Sequence, residues 1–306
     1  MAFFENGLRA KVMSTELIIE ADLSKKILFE ALDLVKEFEA KFSAYKEESL
    51  LSQVNMNAGI SEVVCTQEER ELFVKALEMA KLSDGVFDPT IGVLTQGTYG
   101  FGKSTQKIPS KKELHKAKEL VNYKDFVVNE ESIYLKKKGM RLDFGGIGKG
   151  FIAEKLIAFL QTKGAKKALV NAGGEICTFG KNYNIAIKNP YTDENIAVIK
   201  TSKSPLTLST SGDYERFIGS KENHHILDKQ TASQNHYYSS ITLLKDGTEG
   251  TLLDGVATIV FNAPKEQLRA LAKKYNIAII AIEEEGSLIF ENFKSLDIRA
   301  IELYAL

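Results

Sequence analysis

Tryptophan is absent from this 306-residue chain, and cysteine occurs only at Cys65 and Cys177. Two cysteines cannot build a disulfide framework, a CxxC pair or a zinc site of the usual spacing, so free thiols are expected. Long apolar runs are missing too. None approaches the ~20 residues that span a bilayer, and no transmembrane segment is expected. Nor is one sign of charge in excess, since 40 Lys and Arg stand against 41 Asp and Glu for a formal net charge of −1. Such a chain has no global field to draw in nucleic acid or an anionic membrane. The basic run Lys136–Lys138 is short and reads as a solvated turn. The opening residues, Met-Ala-Phe-Phe-Glu-Asn-Gly, lack the basic region, long apolar core and cleavage site of a secretion leader. As written the sequence suggests a cytoplasmic protein; a leader trimmed from it would imply a periplasmic or membrane-anchored one.

What is present is an ordinary globular composition, 44% hydrophobic and 26% charged. No internal repeat and no low-complexity linker appears, which favours one compact α+β unit over residues 1–306. Residues 8–20 read as a strand. Asp22 or Ser24 then caps an amphipathic helix that buries Ile27, Ala31, Leu34, Val35 and Phe38. Leu50–Asn55 gives another helical turn, and a helix over 67–83 stops at the turn signal Asp84-Gly85. Residues 85–102 form a glycine-dense loop region, and Ser110 caps a lysine-rich helix. Phe126–Val128 and Ser132–Leu135 read as a hairpin. Strands are expected at 167–171, 183–188, 196–201, 206–211 and 241–244. A helix at 264–275 and a strand at 277–282 close the pattern.

The stretch Arg141–Leu156 holds four glycines, Gly145, Gly146, Gly148 and Gly150, with Asp143 before them and Lys149 among them. Phe151, Ile152, Leu156, Ile157 and Leu160 then recur at helix-face spacing. Glycine permits close approach of a ligand, and a helix N-terminus offers unpaired N–H groups to anions, so a phosphate-bearing ligand is one reading. A tightly packed turn is the other. A Walker loop fails on spacing, because Gly150 stands where Ser or Thr is required. Gly148-Lys-Gly150-Phe-Ile-Ala153 fits the G-x-G-x-x-A dinucleotide fingerprint, but the preceding Gly139–Phe144 carries two charges where a buried strand is needed. Glu175 is near the right distance for a ribose contact, yet sits among glycines.

Two further constellations stand out. Asp254 lies inside the apolar run Leu252–Phe261, where an unpartnered carboxylate is strongly disfavoured. If that run is helical, Thr258 falls on the same face one turn on, and the two form a hard-oxygen pair suited to Mg²⁺. A helix-capping aspartate is the alternative. Around His224-His225, with Asp228 close by, zinc spacing is absent. An imidazole beside a carboxylate could serve as a general base or as a hydrogen-bonded structural group.

Taken in order, these segments resemble the ApbE-type FAD:protein FMN transferases, also called flavin-trafficking proteins. The resemblance covers about residues 7–262 and rests on Met13-Ser-Thr15, Phe42-Ser-Ala-Tyr45 with Ser49 and Asn55, Val86–Gly92, Tyr99–Gly102, Leu142–Gly150, Val170–Gly174, Thr210–Arg216, His225–Asp228 and Asp254–Thr258. It implies a T-fold-like α+β unit with a mixed, largely antiparallel sheet packed by helices. It also implies Mg²⁺-dependent transfer of FMN from FAD to a Thr or Ser hydroxyl of an acceptor protein, with release of AMP. In the family's pattern Asp254, Thr258 and the Gly146 carbonyl would hold the metal. Met13, Tyr45, Val86, Phe87, Asp88, Asp143, Lys149, His225 and Ile226 would contact FAD, with the isoalloxazine against Tyr45 and Lys149 near the pyrophosphate. His225, seconded by Asp228, would be the base for the incoming hydroxyl. The chain departs from the pattern at Asp228-Lys229, Thr231-Ala232 and Gly255, the first of which bears on the acceptor side. An FAD pyrophosphatase and a non-enzymatic FAD carrier are the competing readings. Asp246–Thr251 resembles a flavinylation acceptor, with Glu249 where a small residue is wanted, which argues against self-modification.

Overall fold

The computed structural model describes residues 1–5 and 7–304. The architecture is α+β. By its internal contacts the chain forms two compact units: residues 1–36, 149–212 and 237–306 make the first, and residues 37–148 and 213–236 the second.

The first unit is built on a nine-stranded antiparallel sheet. Its middle strands are Ala168–Ala172, Glu175–Phe179, Leu206–Gly212, Tyr238–Asp246 and Ala278–Glu283; the last two are buried on both faces over most of their length, so their burial does not alternate. Leu206, Leu208, Leu244, Ile280 and Ile282 face one core, shared with the small sheet of Asn184–Lys188, Asn195–Thr201 and Ile298–Leu303. The helix Gly250–Phe261 packs on the sheet and touches the strands Glu175–Phe179, Leu206–Gly212 and Tyr238–Asp246. The helix Gly148–Thr162 crosses it backbone to backbone: a Cβ on Gly150 would lie 2.1 Å from the Gly250 carbonyl oxygen. Phe151, Ile152, Leu156, Ile157 and Leu160 are all buried along that helix, as their spacing requires. Glu154 accepts from the N–H and hydroxyl of Thr251 and so caps the start of the second helix.

In the second unit the helices begin where the capping residues stand. Thr66 with Glu69 and Ser110 with Glu113 form capping boxes for Gln67–Leu82 and Lys111–Lys118, and Ser49 caps Leu50–Met56. The hairpin of Phe126–Val128 and Ser132–Leu135 forms as expected, and Val63–Val64 joins it as a third strand. Phe73 packs edge-on against Phe144, with ring centroids 5.1 Å apart, and anchors the glycine stretch from below. Asn55 clamps the same stretch. Its side chain accepts from Leu142 N–H at 2.7 Å and donates to the Leu142 carbonyl at 3.0 Å.

Four local expectations change. Residues 8–20 are two strands, Gly7–Val12 and Thr15–Ala21, joined at Met13 and Ser14, whose φ angles are +50° and +60°. Met-Ser carries no turn signal, so pairing of the flanking strands imposes the positive φ. Gly173 and Gly174, at φ +66° and +96°, close a second tight hairpin, so Glu175 heads a strand instead of sitting in a glycine loop. The glycine-dense segment contains a π-helix, Val93–Tyr99, between Gly92 and a left-handed Gly100. Asp22 does not cap the first helix, Lys25–Phe42; it accepts from the N–H groups of Lys166 and Lys167. All named ladders among the described residues are antiparallel, which removes the dinucleotide-fold reading.

Two substitutions test these constraints. Asn55→Ala strands two buried backbone groups and is expected to cost about 3 kcal/mol in urea unfolding. Gly150→Ala forces a methyl against backbone that cannot yield, and should cost at least about 2 kcal/mol in the same assay.

Candidate functional site

In the first unit the chemistry gathers at the starts of the two crossing helices. Lys149, second residue of Gly148–Thr162, donates from Nζ to the Gly173 carbonyl at 2.9 Å and stands 3.4 Å from Glu175 Oε1. Gly150 donates its N–H to Asp254 Oδ2 at 2.8 Å. Both carboxylates are buried, Glu175 at 2% and Asp254 at 3% exposure. Burial holds both carboxyl groups above the ordinary range; the Asp254 charge adds to this at Glu175, and Lys149 opposes it at each. Glu175 Oε2 and Ser209 Oγ, on residues paired across the ladder, are both buried without a hydrogen-bond partner of normal geometry. Thr258 is half-buried on the same helix face as Asp254.

Two buried carboxylates against one ammonium leave a shortage of positive charge, and the orphaned Glu175 oxygen marks it. The donors on offer, carboxylate and hydroxyl, are hard oxygens that fit Mg²⁺, which keeps several of its waters. No group of three or more His, Cys, Asp or Glu able to hold a metal exists among the described residues, so a soft or all-protein cage is not what these residues build. Cys65 and Cys177 are free and buried. Burial pushes the Cys177 thiol up to about 12, far from a reactive thiolate. Thr251, in the acceptor-like segment, is buried with its hydroxyl on Glu154.

In the second unit Tyr45 is exposed yet firmly held. Its hydroxyl donates to the Phe101 carbonyl at 3.1 Å and accepts from Gln96 Nε2 at 3.1 Å and Arg216 Nη1 at 2.9 Å. The Arg216 guanidinium also lies 5.9 Å from the ring centroid. A ring so pinned is a ready stacking surface. Asp143 accepts from Thr95 Oγ1 at 2.5 Å, Gln96 Nε2 at 3.3 Å and Gly145 N–H at 2.8 Å. Thr95 and Gln96 are neighbours in the π-helix, whose wider turn turns both toward one carboxylate. Gly146 lies in the turn just before the helix Gly148–Thr162.

The remaining expected residues are placed differently from one another. Met13 is at the strained hairpin tip in the first unit. Val86 is exposed, but Phe87 is buried. The Asp88 carboxylate is fully used: it pairs with Lys229 Nζ at 2.7 Å and accepts from Thr90 and from Tyr123 N–H. It serves the fold of that loop. Ile226 is buried. Asp228 accepts from Gln230 N–H at 2.7 Å and the Asn235 amide at 3.3 Å. His225 Nδ1 meets the Arg216 carbonyl at 3.1 Å. A carbonyl only accepts, so Nδ1 carries the hydrogen in the neutral ring and Nε2 is the basic nitrogen. The Arg216 carbonyl thus orients His225. Residues missed from the sequence are Thr95, Gln96, Arg216 and Glu175 in its actual role. The usable signal for the last was a carboxylate at the head of the apolar run Ile176–Phe179.

Residues 11–281 match the ApbE family. The chain belongs to it. The FAD:protein FMN transferase of Klebsiella pneumoniae (strain 342) is 26% identical over 266 residues, covering 85% of this chain and 83% of that one. The Haemophilus influenzae protein of the same name is 28% identical over 275 residues, covering 85% and 79%. Among solved structures, the ApbE protein of Thermotoga maritima superposes with a TM-score of 0.85 at 25% identity, covering 96% of this chain and 99% of that one. The flavin transferase ApbE of Vibrio cholerae shares the fold, with a TM-score of 0.80 at 23% identity and coverage of 94% and 96%. Among the described residues of this ApbE-family chain, no helix is long and apolar enough to cross a membrane.

One titration follows from the second unit. Burial pushes His224 from the ordinary 6.5 down to about 4, with His236 adding to this and the Asn235 carbonyl opposing it. The neutral ring is therefore favoured in the folded state. Its contribution to stability is complete above about pH 6.5 and is lost as pH falls toward 4, on the order of 3 kcal/mol in all. Urea midpoints measured from pH 7 to 4 should fall more steeply for the wild type than for His224→Gln.

Proposed function

We propose that the chain transfers FMN from FAD to a Thr or Ser hydroxyl of an acceptor protein, with Mg²⁺ as cofactor and residues 1–306 acting as one functional domain. The observation that carries this reading is the buried Lys149–Glu175–Asp254 cluster at the starts of two helices, on a chain whose relatives are named FAD:protein FMN transferase. A buried carboxylate pair beside an ammonium and helix N–H groups suits a bound pyrophosphate with its cation.

In the reaction the acceptor hydroxyl oxygen forms a bond to the FMN-side phosphorus. The bond from that phosphorus to the bridging oxygen breaks, and AMP leaves with that oxygen. Mg²⁺, when bound, supplies positive charge to the phosphate oxygens. Asp254 and Thr258 would hold it, with the Gly146 carbonyl. Lys149 would bind the pyrophosphate and stabilise the charge that builds as the bridge breaks. Tyr45, fixed through its hydroxyl, would stack on the isoalloxazine. Asp143 orders the glycine turn through the Gly145 N–H and would take up its place at the FAD through that turn. His225 would accept the hydroxyl proton at Nε2, the nitrogen that its Nδ1 contact leaves basic.

The test combines purified protein, FAD, Mg²⁺ and a flavinylatable acceptor domain, read as a fluorescent flavin band on a denaturing gel. Asp254→Ala is expected to lower transfer at least about 100-fold while retaining most FAD binding, since it removes charge stabilisation at the reacting phosphate. Steady release of AMP and FMN without an acceptor, and no band with one, would establish a pyrophosphatase instead. FAD binding without any turnover would establish a carrier.

A further inference from the structure

Glu175 is a costly residue to keep where it is. It is 2% exposed, heads a strand on the helix-covered face of the sheet, and is flanked there by Cys177 and Ser209. One oxygen, Oε1, lies 3.4 Å from Lys149 Nζ, and the other has no partner. The Ser209 hydroxyl, wholly buried, eases the Glu175 charge but makes no hydrogen bond of normal geometry to it. A residue serving only to pack would be apolar, and one serving only to neutralise Lys149 would have both oxygens engaged. The position of Lys149 is itself set from two sides. Its backbone neighbour Gly150 is locked against Gly250 and Asp254, and its ammonium is drawn to the Gly173 carbonyl, two residues before Glu175.

We propose that Glu175 is a positioning residue for the metal–pyrophosphate centre: it holds the Lys149 ammonium against the Gly173 carbonyl and adds a second buried negative charge that draws a divalent cation to Asp254. This rests on the reading under Proposed function. Glu175 reaches the reaction through Lys149 and through its field, while Asp254 and Thr258 hold the ion. Its two tasks separate by substitution. Glu175→Gln keeps the reach to Lys149 and removes the charge, whereas Glu175→Asp keeps the charge and shortens the reach.

Mn²⁺ titration of the ligand-free full chain, followed by electron paramagnetic resonance, reads the charge without FAD or acceptor. Glu175→Gln is expected to weaken Mn²⁺ binding about tenfold or more, the loss usual when a group supporting metal ligands is removed. Glu175→Asp should bind Mn²⁺ within about threefold of wild type and show a raised KM for FAD with kcat much less affected. The inference is overturned if folded Glu175→Gln binds Mn²⁺ within twofold of wild type. Should that variant not fold, an unchanged KM in Glu175→Asp overturns it. A wild type that binds no Mn²⁺ sinks the metal reading as well, so the two failures are distinguishable.

Discussion

The contact on which the first unit's chemistry depends is the crossing of two helices at Gly150 and Gly250. Neither position has room for a side chain: a Cβ on Gly150 would meet the Gly250 carbonyl at 2.1 Å, and one on Gly250 would meet the Gly150 carbonyl at 2.5 Å. This approach lets the backbone N–H groups of Lys149 and Gly150 reach the Asp254 carboxylate, which stands in an apolar helix. It also places Lys149 at the head of its helix, within reach of Gly173 and Glu175. An N–H left unpaired at a helix start thus helps keep a buried carboxylate charged.

Charge is what the crossing organises. Asp254 and Glu175 repel one another, burial opposes their ionisation, and Lys149 offsets it at both with a single positive charge. Without a cation the arrangement is unfavourable, and that imbalance is what makes it a candidate binding centre. Asp88 in the second unit shows the contrast. It is as deeply buried, but Lys229, Thr90 and Tyr123 use all of its capacity, so it stabilises a loop and has nothing left for a ligand.

The second unit does for an aromatic ring what the first does for charge. Tyr45 has a hydroxyl saturated by Phe101, Gln96 and Arg216, so an exposed ring loses little freedom when something stacks on it. Gln96 can reach both Tyr45 and Asp143 because it stands in a π-helix. His225 gains a defined tautomer from one backbone carbonyl.

The sequence by itself determined what is local. Ser110 announced its helix because a cap and its N–H partner lie three residues apart, and Thr66 and Ser49 cap theirs in the same way. The apolar stripe after Lys149 announced its helix by period alone, and ordered motifs were enough to place the chain in its family. Asp254 was conspicuous because a carboxylate in an apolar run must be answered somewhere. Tertiary structure decided what answers it. The Gly173–Gly174 turn that makes Glu175 a strand residue and the positive φ at Met13 follow from strand pairing across hairpins, the π-helix residue Gln96 meets Tyr45 and Asp143 far along the chain, and His225 and Asp228 take separate partners within ten residues. Strand pairing and backbone close approach choose among conformations that local propensity leaves nearly equal in energy, so propensity alone does not show them.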